Sequence, residues 1–467
     1  MRLLAFAVPF MLLCSAAQAA PGASEIDRGR VETEADAALA SMVDPAGSGA
    51  AVLIAQGEAI LYRNAHGMAD VALGVPLTPD HVFRIASITK TFTAGLIVHM
   101  VERGELSLDA PAGDYLPDLG LDRRITVRQL LSHTAGIADT DVPPLPPFGP
   151  GEIQIEAQLR RIAARPLLFV PGGDQRYSNA GYVLLGGIIE RRSGQRWEAA
   201  LQDRLFRPLS LLHTGYADAA TIVPGRVAGY SGEPGALRNA DPGNVSGPKT
   251  AGALHSTLDD LRTWFSALAH GQVVRAPYFA AMTTPARASA AVQDRYGLGL
   301  ALWRVRGEEV IGHTGQIGGG ASALIHIPSR DTVIAVLANN DSFDAQTLAR
   351  RLAAIVIGRP YPIARPALLS AESLASLAGT YGDDARNRRT LAVTGHALTL
   401  VRPDRPPIPM IVDGDGKLRF VTDDLSYFEP IRDRRGHVVR LDLYSRGEGP
   451  PVAYPRQVLR GDTAVDR

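Results

Sequence analysis

Residues 83–104 read FRIASITKTFTAGLIVHMVERG, and this stretch contains a strongly periodic helical pattern. Its apolar side chains recur at the spacing of one helix face, which predicts a helix over residues 88–103 that stops at Gly104. Ser87 stands just before this helix, and Lys90 follows three residues later. Because positions three apart share a helix face, the Ser87 hydroxyl and the Lys90 amine can meet there. The helix N-terminus also favours a developing alkoxide.

Lysine is rare in this chain, which draws attention to Lys90. Of 467 residues 48 are lysine or arginine, and the lysines are Lys90, Lys249 and Lys417. A lysine amine can act as a general base when burial lowers its pKa, whereas arginine stays charged. Lys249 also follows a serine by three residues, Ser246, but a Gly-Pro pair between them predicts a loop. The helical context therefore favours the pair of Ser87 and Lys90.

The overall composition is that of a globular protein, with 46% hydrophobic and 21% charged residues. Basic and acidic residues number 48 each, so no basic excess suggests a nucleic-acid partner. The sequence contains no phosphate loop, no His-Glu-x-x-His and no Gly-x-Ser-x-Gly elbow. We therefore expect no cofactor and no metal.

Residues 1–19 have the pattern of a signal peptide. Arg2 gives a positive start, residues 3–13 form an apolar run too short to span a membrane, and residues 17–19 read Ala-Gln-Ala. The pattern predicts a periplasmic or secreted protein without an integral membrane segment. Cleavage removes the single cysteine, Cys14, and leaves a hydroxyl as the expected nucleophile. Lipid anchoring at Cys14 is the alternative, which the bulky Leu13 before it disfavours.

Strands are predicted at both ends of residues 20–358, and helices between them. The strand patterns cover residues 50–55, 59–66, 298–305, 309–313, 321–327 and 332–337. The helical patterns include residues 127–132, 153–164, 180–192, 197–206, 257–270 and 344–357. Ser256 is the expected cap of the helix over residues 257–270. The simplest assembly is α+β: one antiparallel sheet from the first and last strands, flanked by helices, with an all-helical subdomain beside it.

The remaining residues are predicted to form a second domain. Residues 359–370 are rich in proline and are interpreted as a linker. Beyond them, short alternating segments recur through residues 371–467, for example over residues 391–401 and 438–444. This spacing predicts a small all-β, barrel-like domain that packs against the first domain.

Two further motifs carry candidate chemistry. Tyr177-Ser178-Asn179 precedes the helix over residues 180–192, where Ser178 or Asn179 can cap the helix and Tyr177 can shuttle a proton. His313-Thr314-Gly315, followed by Gln316, ends a predicted strand, and an edge strand there could line a cleft.

Two other histidines are alternatives to His313 as the site residue. His213-Thr214-Gly215 repeats the third motif, but its context predicts a surface loop. His133 lies at a helix end and is interpreted as structural. The context therefore favours His313 as the site histidine.

The three motifs, in this order, resemble the serine β-lactamase and penicillin-binding-protein superfamily, and most of all its class C-like branch of β-lactamase-related hydrolases, esterases and D,D-peptidases. The resemblance covers roughly residues 30–358 and includes FRIA before Ser87 and LLSHTAGI at residues 130–137. It implies a β-lactamase/transpeptidase-like fold for residues 20–358. The third motif departs from the lactamases, which usually carry lysine where this chain has His313.

The resemblance implies a role for each motif residue. Ser87 is the acylated nucleophile, Lys90 and Tyr177 help to remove its proton, and Tyr177 protonates the leaving group. Asn179 orients Lys90 and the substrate. The backbone N–H groups of Ser87 and Gln316 form the oxyanion hole. His313, Thr314 and Gly315 complete the substrate-binding wall.

The expected substrate is a small ester, or an amide or peptide that contains a D-amino acid. A histidine is mostly neutral at pH 7, so anchoring of an anionic β-lactam at His313 should be weak unless a nearby arginine restores it. The open alternatives are a D,D-carboxypeptidase, a true β-lactamase, and a penicillin- or muropeptide-binding protein without turnover. The sequence makes no prediction of the oligomeric state.

Overall fold

The computed structural model describes residues 26–139, 153–216, 221–241, 246–287, 295–362, 366–367, 369–384, 387–395, 397–403, 405–421, 423 and 425–457. The predicted signal peptide, with Cys14, lies outside the described residues. Within these ranges, none of the helices combines the length and the apolar character that crossing a membrane requires.

Seven antiparallel strands form the central sheet, in the order β10-β11-β12-β13-β14-β1-β2. The strands of residues 26–358 are β1 (Ala50–Gln56), β2 (Ala59–His66), β3 (Met68–Asp70), β4 (Val75–Pro76), β5 (Phe83–Arg84), β6 (Gly215–Tyr216), β7 (Tyr230–Ser231), β8 (Arg238–Asn239), β9 (Leu254–Ser256), β10 (Arg295–Tyr296), β11 (Ala301–Val305), β12 (Glu308–Ile317), β13 (Gly320–Ile327) and β14 (Thr332–Ala338).

The pairing of β1 with β14 joins the two ends of this region. Ala50 lies opposite Ala338 and Gln56 opposite Thr332, so the first and last predicted strands are neighbours in one sheet. This arrangement confirms the predicted α+β assembly. Smaller sheets pair β3 with β4, β7 with β8, and β9 with both β5 and β6.

Helices cover both faces of the central sheet. They are α1 (Arg28–Ala40), α2 (Thr89–Glu102), α3 (Ala112–Tyr115), α4 (Val127–Leu131), α5 (Ile155–Ala163), α6 (Asn179–Ser193), α7 (Trp197–Leu201), α8 (Leu258–Ala269), α9 (Ala276–Met282) and α10 (Ala345–Ile357). One apolar cluster joins α1 and α10 to one face, and a second joins α2 and α8 to the other. Strands covered on both sides need no polar alternation, and every residue of β14 is buried.

Apart from shifts of one or two residues at their ends, the helices differ from the predicted ones in two respects. Ser256 does not cap α8, because it belongs to β9 and its hydroxyl contacts that of Thr214 at 2.7 Å. Thr257 is the cap, and its side-chain oxygen accepts from the Asp260 N–H. The predicted helix over residues 197–206 is α7 followed by a π-helical turn, Gln202–Phe206.

A nearly closed eight-stranded antiparallel sheet forms the C-terminal part. After α11 (Ala371–Leu377) come β15 (Gly379–Tyr381), β16 (Arg389–Thr394), β17 (Ala397–Arg402), β18 (Arg405–Val412), β19 (Leu418–Phe420), β20 (Tyr427–Arg432), β21 (Val438–Tyr444) and β22 (Val452–Pro455). Two hydrogen bonds close the barrel between its first and last strands, Gly382 N–H to the Pro455 carbonyl and Gln457 N–H to the Thr380 carbonyl, each at 2.8 Å. The predicted segment 391–401 is divided between β16 and β17.

The barrel contacts the central sheet at the turn between β11 and β12. The Glu448 carboxylate accepts from the Arg306 N–H and from the Tyr361 hydroxyl, both at 2.6 Å. The Arg306 guanidinium lies 4.4 Å from the centre of the Tyr361 ring. A strand rises about 3.4 Å per residue, so this contact is roughly 20 Å along β12 from the third motif. The barrel is therefore expected to act on stability rather than on chemistry.

Replacing Tyr361 with phenylalanine tests this assignment. The Tyr361→Phe variant loses one hydrogen bond to a carboxylate, and its free energy of unfolding should fall by about 1–3 kcal/mol. Chemical denaturation measures the loss, and ester turnover should stay at the wild-type level. Tyr278→Phe is the control, because the Tyr278 hydroxyl has no hydrogen-bond partner among the described residues. Unchanged stability of Tyr361→Phe would contradict the assignment.

Candidate active site

The turn that carries Ser87 is held from two sides. It is a short 3₁₀ turn, Ala86–Ile88, between β5 and α2. The Ile85 N–H donates to the Leu254 carbonyl at 3.0 Å, and the Ser322 hydroxyl donates to the Ile85 carbonyl at 2.9 Å. Ala86 has a φ of +46°, a left-handed conformation that is unfavourable for alanine and needs such support.

Lys90 is buried at the first turn of α2, with no exposed surface. Its Nζ lies 3.0 Å from Ser87 Oγ, 2.8 Å from Asn179 Oδ1 and 2.7 Å from the Ala251 carbonyl oxygen. The structure thus brings together the hydroxyl and the amine that the sequence pairs. It adds the Ala251 carbonyl, which the sequence did not indicate.

The surroundings of Lys90 suit both of its protonation states. Burial lowers its pKa to about 7, and the negative charge of Asp139 opposes that shift. The Asn179 and Ala251 oxygens can only accept, so they hold two hydrogens of a neutral amine and leave its lone pair to Ser87. Protonation adds a third hydrogen, for which Ser87 Oγ is the acceptor. An amine with a pKa near 7 can take up and release a proton at physiological pH.

The second motif forms the start of α6. The Ser178 side chain accepts from the Gly181 N–H at 3.1 Å and is the cap, which places Asn179 as the first helical residue. Its amide oxygen can therefore reach Lys90.

Tyr177, just before this cap, faces the cleft and is 44% exposed. The centre of its ring lies 4.7 Å from Lys90 Nζ. Desolvation raises the pKa of the Tyr177 hydroxyl above its usual range, and an interaction with Ser87 only partly opposes this. Tyr177 is therefore a neutral phenol.

Asp139 supports this motif from the neighbouring segment. Its carboxylate accepts from the Ser178 hydroxyl and from the Ala180 N–H, both at 3.0 Å. Acidic groups at a helix N-terminus are stabilising. No pattern in the sequence identified this residue, since it is 40 positions from the helix that it contacts.

The third motif lies in the second half of β12. β12 is an inner strand and not an edge strand, but its pairing with β11 ends where Gly312 meets Ala301. Beyond that point the outer side of β12 faces the Ser87 turn. A side chain at Gly315 would place its Cβ 2.5 Å from the Ile85 oxygen and 2.9 Å from the Ser87 nitrogen. Only glycine permits this approach.

His313 is almost fully buried in this strand, with 5% of its surface exposed. Its Nδ1 lies 2.5 Å from the Thr314 carbonyl oxygen, and its Nε2 lies 2.9 Å from the Tyr296 hydroxyl. Burial, aided by the charge of Lys90, lowers the pKa of His313 to about 3. His313 is therefore neutral, and no sequence pattern indicated Tyr296 as its partner.

The other candidates lie outside the catalytic arrangement or beside it. His213 is exposed in a loop, and its backbone N–H donates to the Asp260 carboxylate. His133 is buried, and its Nδ1 accepts from the Ser178 N–H at 3.2 Å. Its ring lies 4.4 Å from that of Tyr177, so a structural histidine packs directly against the motif.

The second Ser-x-x-Lys pair is structural. Ser246 Oγ accepts from the Ile153 N–H, and Lys249 is buried in the 3₁₀ turn Lys249–Ala251. This turn presents the Ala251 carbonyl to Lys90.

A cavity of about 500 Å³ opens over these groups. The residues that line it are Ser87, Tyr177, Asn179, His313, Thr314, Gly315, Gln316, Ala321, Ser322, Ser342, Phe343, Asp344, Ala345 and Gln346. None of these described residues is lysine or arginine, and Asp344 is the one carboxylate among them. Across the described residues, no three histidine or acidic side chains are grouped as metal ligands would be. A small substrate can enter the cavity and reach Ser87.

Comparison with known proteins identifies relatives of this chain. Esterase EstB of Burkholderia gladioli is 34% identical over 228 residues, which are 44% of this chain and 56% of that protein. A D-aminopeptidase of Gluconobacter oxydans is 27% identical over 338 residues, which are 72% of this chain and 63% of that protein. The chain therefore spans less than two thirds of the length of these two relatives.

A solved structure shows the same fold. The D-stereospecific amidohydrolase from Streptomyces sp. superposes with a TM-score of 0.60 at 29% identity, over 71% of this chain and 98% of that one. Residues 35–357 match the sequence profile of the β-lactamase family. The chain belongs to the β-lactamase family, within the superfamily that also includes esterases, D-aminopeptidases and penicillin-binding proteins.

Proposed function

We propose that the protein is an exported serine hydrolase that forms an acyl-enzyme on Ser87 and acts on esters or on D-amino-acid amides and peptides. The observation that carries the proposal is the 3.0 Å contact between Ser87 Oγ and the buried Lys90 amine. An esterase and a D-aminopeptidase among the relatives support the substrate class. The predicted signal peptide over residues 1–19 supports export.

Acylation begins with transfer of the Ser87 proton to Lys90 Nζ. The serine oxygen attacks the substrate carbonyl carbon, and the carbonyl π electrons move to its oxygen. Lys90 is the better base of the two candidates, because its pKa is about 7 while Tyr177 is held as a neutral phenol. Positioning Nζ at 3.0 Å supplies the geometry that a general base needs.

The resulting oxyanion lies between two backbone donors in this proposal. One is the Ser87 N–H at the start of the α2 region, and the other is the Gln316 N–H on the free side of β12. The close approach of Gly315 to the Ser87 nitrogen supports this pairing. Removal of one such donor typically slows catalysis by about 100- to 1,000-fold.

Tyr177 then completes the cycle. Collapse of the intermediate breaks the bond to the leaving group, which takes a proton from the Tyr177 hydroxyl, and Tyr177 regains one from Lys90. Deacylation reverses these proton transfers: Tyr177 takes a proton from water while it passes its own to Lys90. The water oxygen attacks the acyl carbon, the bond to Ser87 breaks, Ser87 regains its proton from Lys90, and the acid is released. Tyr177 suits this role because it faces the cavity and is close to Lys90.

The nucleophile is tested by removing it. Ser87→Ala should lower kcat/KM for a small ester by several orders of magnitude, as the loss of a catalytic serine does elsewhere. Intact-mass spectrometry with a fluorophosphonate should show one covalent adduct on the wild type and none on Ser87→Ala. Ser246→Ala is the matched control and should be labelled normally. Ester turnover retained by Ser87→Ala would show that the proposal is wrong.

The role of Lys90 as general base predicts how kcat/KM depends on pH. Only neutral Lys90 accepts the proton, so kcat/KM should rise with pH and level off above an apparent pKa of about 7. Asp139 raises the pKa of Lys90, so Asp139→Asn should move this limb to lower pH while keeping an oxygen to accept from Ser178. The exposed Glu372→Gln is the control. A limb that stays in place or moves to higher pH would contradict the assignment.

Substrate preference follows from the charges of the cavity. The carboxylate of a β-lactam meets a neutral His313 and no lysine or arginine among the described lining residues. We expect kcat/KM for penicillins and cephalosporins to lie at least about tenfold below that for small neutral esters, the equivalent of about 1.4 kcal/mol. Spectrophotometric assays of both classes give the ratio. β-Lactam turnover that exceeds ester turnover by orders of magnitude would exclude this preference.

A further inference from the structure

Both ring nitrogens of His313 are occupied before any substrate arrives. Nδ1 contacts the Thr314 carbonyl at 2.5 Å, and Nε2 contacts the Tyr296 hydroxyl at 2.9 Å. His313 and Tyr296 lie on different strands, β12 and β10, with β11 between them. The contact therefore depends on the sheet being assembled.

These partners determine the tautomer of His313. A carbonyl oxygen can only accept, so Nδ1 carries the hydrogen. In a neutral imidazole Nε2 then has the lone pair, and the Tyr296 hydroxyl donates to it. Hydrogen bonding to the neutral form disfavours protonation.

The groups around His313 reinforce this state. Lys90 on α2 is the cation that acts on it, and its charge opposes a second positive charge nearby. The rings of Tyr177 and Tyr296 lie 6.1 and 5.7 Å from the His313 ring. His133 contributes no charge, because burial keeps its pKa well below the usual range.

The cavity in front of His313 is not cationic either. Among its described lining residues Asp344 is the one with a formal charge at neutral pH. Asp344 Oδ1 accepts from the Thr347 N–H at 2.8 Å as the cap of α10. Among these described lining residues, a substrate carboxylate would find no opposite charge and one like charge.

We propose that Tyr296 is a specificity-determining positioning residue, which occupies His313 Nε2, holds His313 as a neutral acceptor and so selects substrates that carry no carboxylate next to this wall. This role rests on the proposed hydrolase function, because only a hydrolase at this site would have a substrate to select. Tyr296 acts through His313 and does not line the cavity itself. The favoured substrates are neutral or bear an ammonium group.

The first test reads the tautomer without using activity. Long-range ¹H–¹⁵N spectra of ¹⁵N-histidine-labelled wild type, assigned with His313→Gln, should show His313 protonated on Nδ1 and neutral from pH 5 to pH 8. Tyr296→Phe should keep the hydrogen on Nδ1, because the Thr314 carbonyl still accepts it, but should shift the Nε2 resonance and raise the doubly protonated fraction at pH 5. Finding wild-type His313 protonated on Nε2, or doubly protonated at pH 7, would overturn the proposal even if Ser87 is the nucleophile.

The second test reads specificity with a matched pair of p-nitrophenyl esters, one neutral and one bearing a carboxylate. In Tyr296→Phe the ratio of kcat/KM for the anionic over the neutral ester should rise by about 1.5- to 2-fold at pH 5. A rise of one unit from a pKa of about 3 takes the protonated fraction of His313 from about 1% to about 9%, and a cation there would favour the anionic ester about tenfold. The ratio cancels the shared loss from Lys90 protonation. The gain should appear in KM for the anionic ester, with kcat for the neutral ester retained.

Tyr381→Phe is the control for this pair of tests. The Tyr381 hydroxyl is buried in the C-terminal barrel and donates to the Leu377 carbonyl at 2.8 Å. Its removal should leave the His313 spectrum and the substrate ratio at wild-type values. An unchanged ratio in Tyr296→Phe, or an equal change in Tyr381→Phe, would show that Tyr296 has only a structural role. Loss of all ester turnover in wild type would instead refute the hydrolase proposal and leave the tautomer result standing.

Discussion

Burial of one lysine amine is the constraint around which this structure is organised. A charged group removed from water is unfavourable unless polar partners surround it, and Lys90 has three oxygen partners from three separate segments. The Ser87 turn, the start of α6 and the turn at Ala251 must all reach the same point. Helix capping by Ser178 and the strained φ of Ala86 are local solutions that make this convergence possible.

The convergence of these segments on Lys90 also explains why glycine occurs at two positions near it. Gly315 brings β12 against the Ser87 nitrogen, where any Cβ would clash with backbone. Gly299, at a φ of +79°, packs its backbone on α2, where a Cβ would lie 2.2 Å from that of Ala94. The helix that carries Lys90 is thus clamped by backbone on one side and by side chains on the other. Rigid positioning of this kind is what general-base catalysis requires.

The features that the sequence could predict are the local ones. Ser87 and Lys90 are three residues apart on one helix, and Tyr177, Ser178 and Asn179 are consecutive, so periodicity and capping rules place them. Apolar runs also indicated β1 and β14, apart from Gln56 and Thr332 at their ends, although their pairing came from assembling the ends of the chain. The choice of His313 over His213 depended on strand context in the same way.

The contacts that escaped prediction are formed by topology. Ala251 contributes a backbone carbonyl, which has no signature in the residue type. Asp139 and Tyr296 reach their partners across turns or neighbouring strands whose register the sequence does not reveal. The choice between Ser256 and Thr257 as a cap likewise depended on where β9 ends. Local patterns therefore predicted the proposed reacting groups, whereas the groups that affect their protonation states required the fold.

The charge state of the site follows from the fact that two cations cannot share it. Lys90 and His313 are both buried, and the charge of Lys90 disfavours a proton on His313. Burial lowers both pKa values, and Lys90 keeps the higher one because an amine is intrinsically more basic than an imidazole. In the proposed mechanism Lys90 takes the Ser87 proton, and its new charge helps to stabilise the oxyanion. A second permanent cation at position 313 would oppose protonation of Lys90 and weaken it as a base. A neutral His313, held by Tyr296, does not oppose protonation of Lys90. In this proposal the neutral state of His313 therefore weakens the binding of a carboxylate and also preserves the basicity of Lys90.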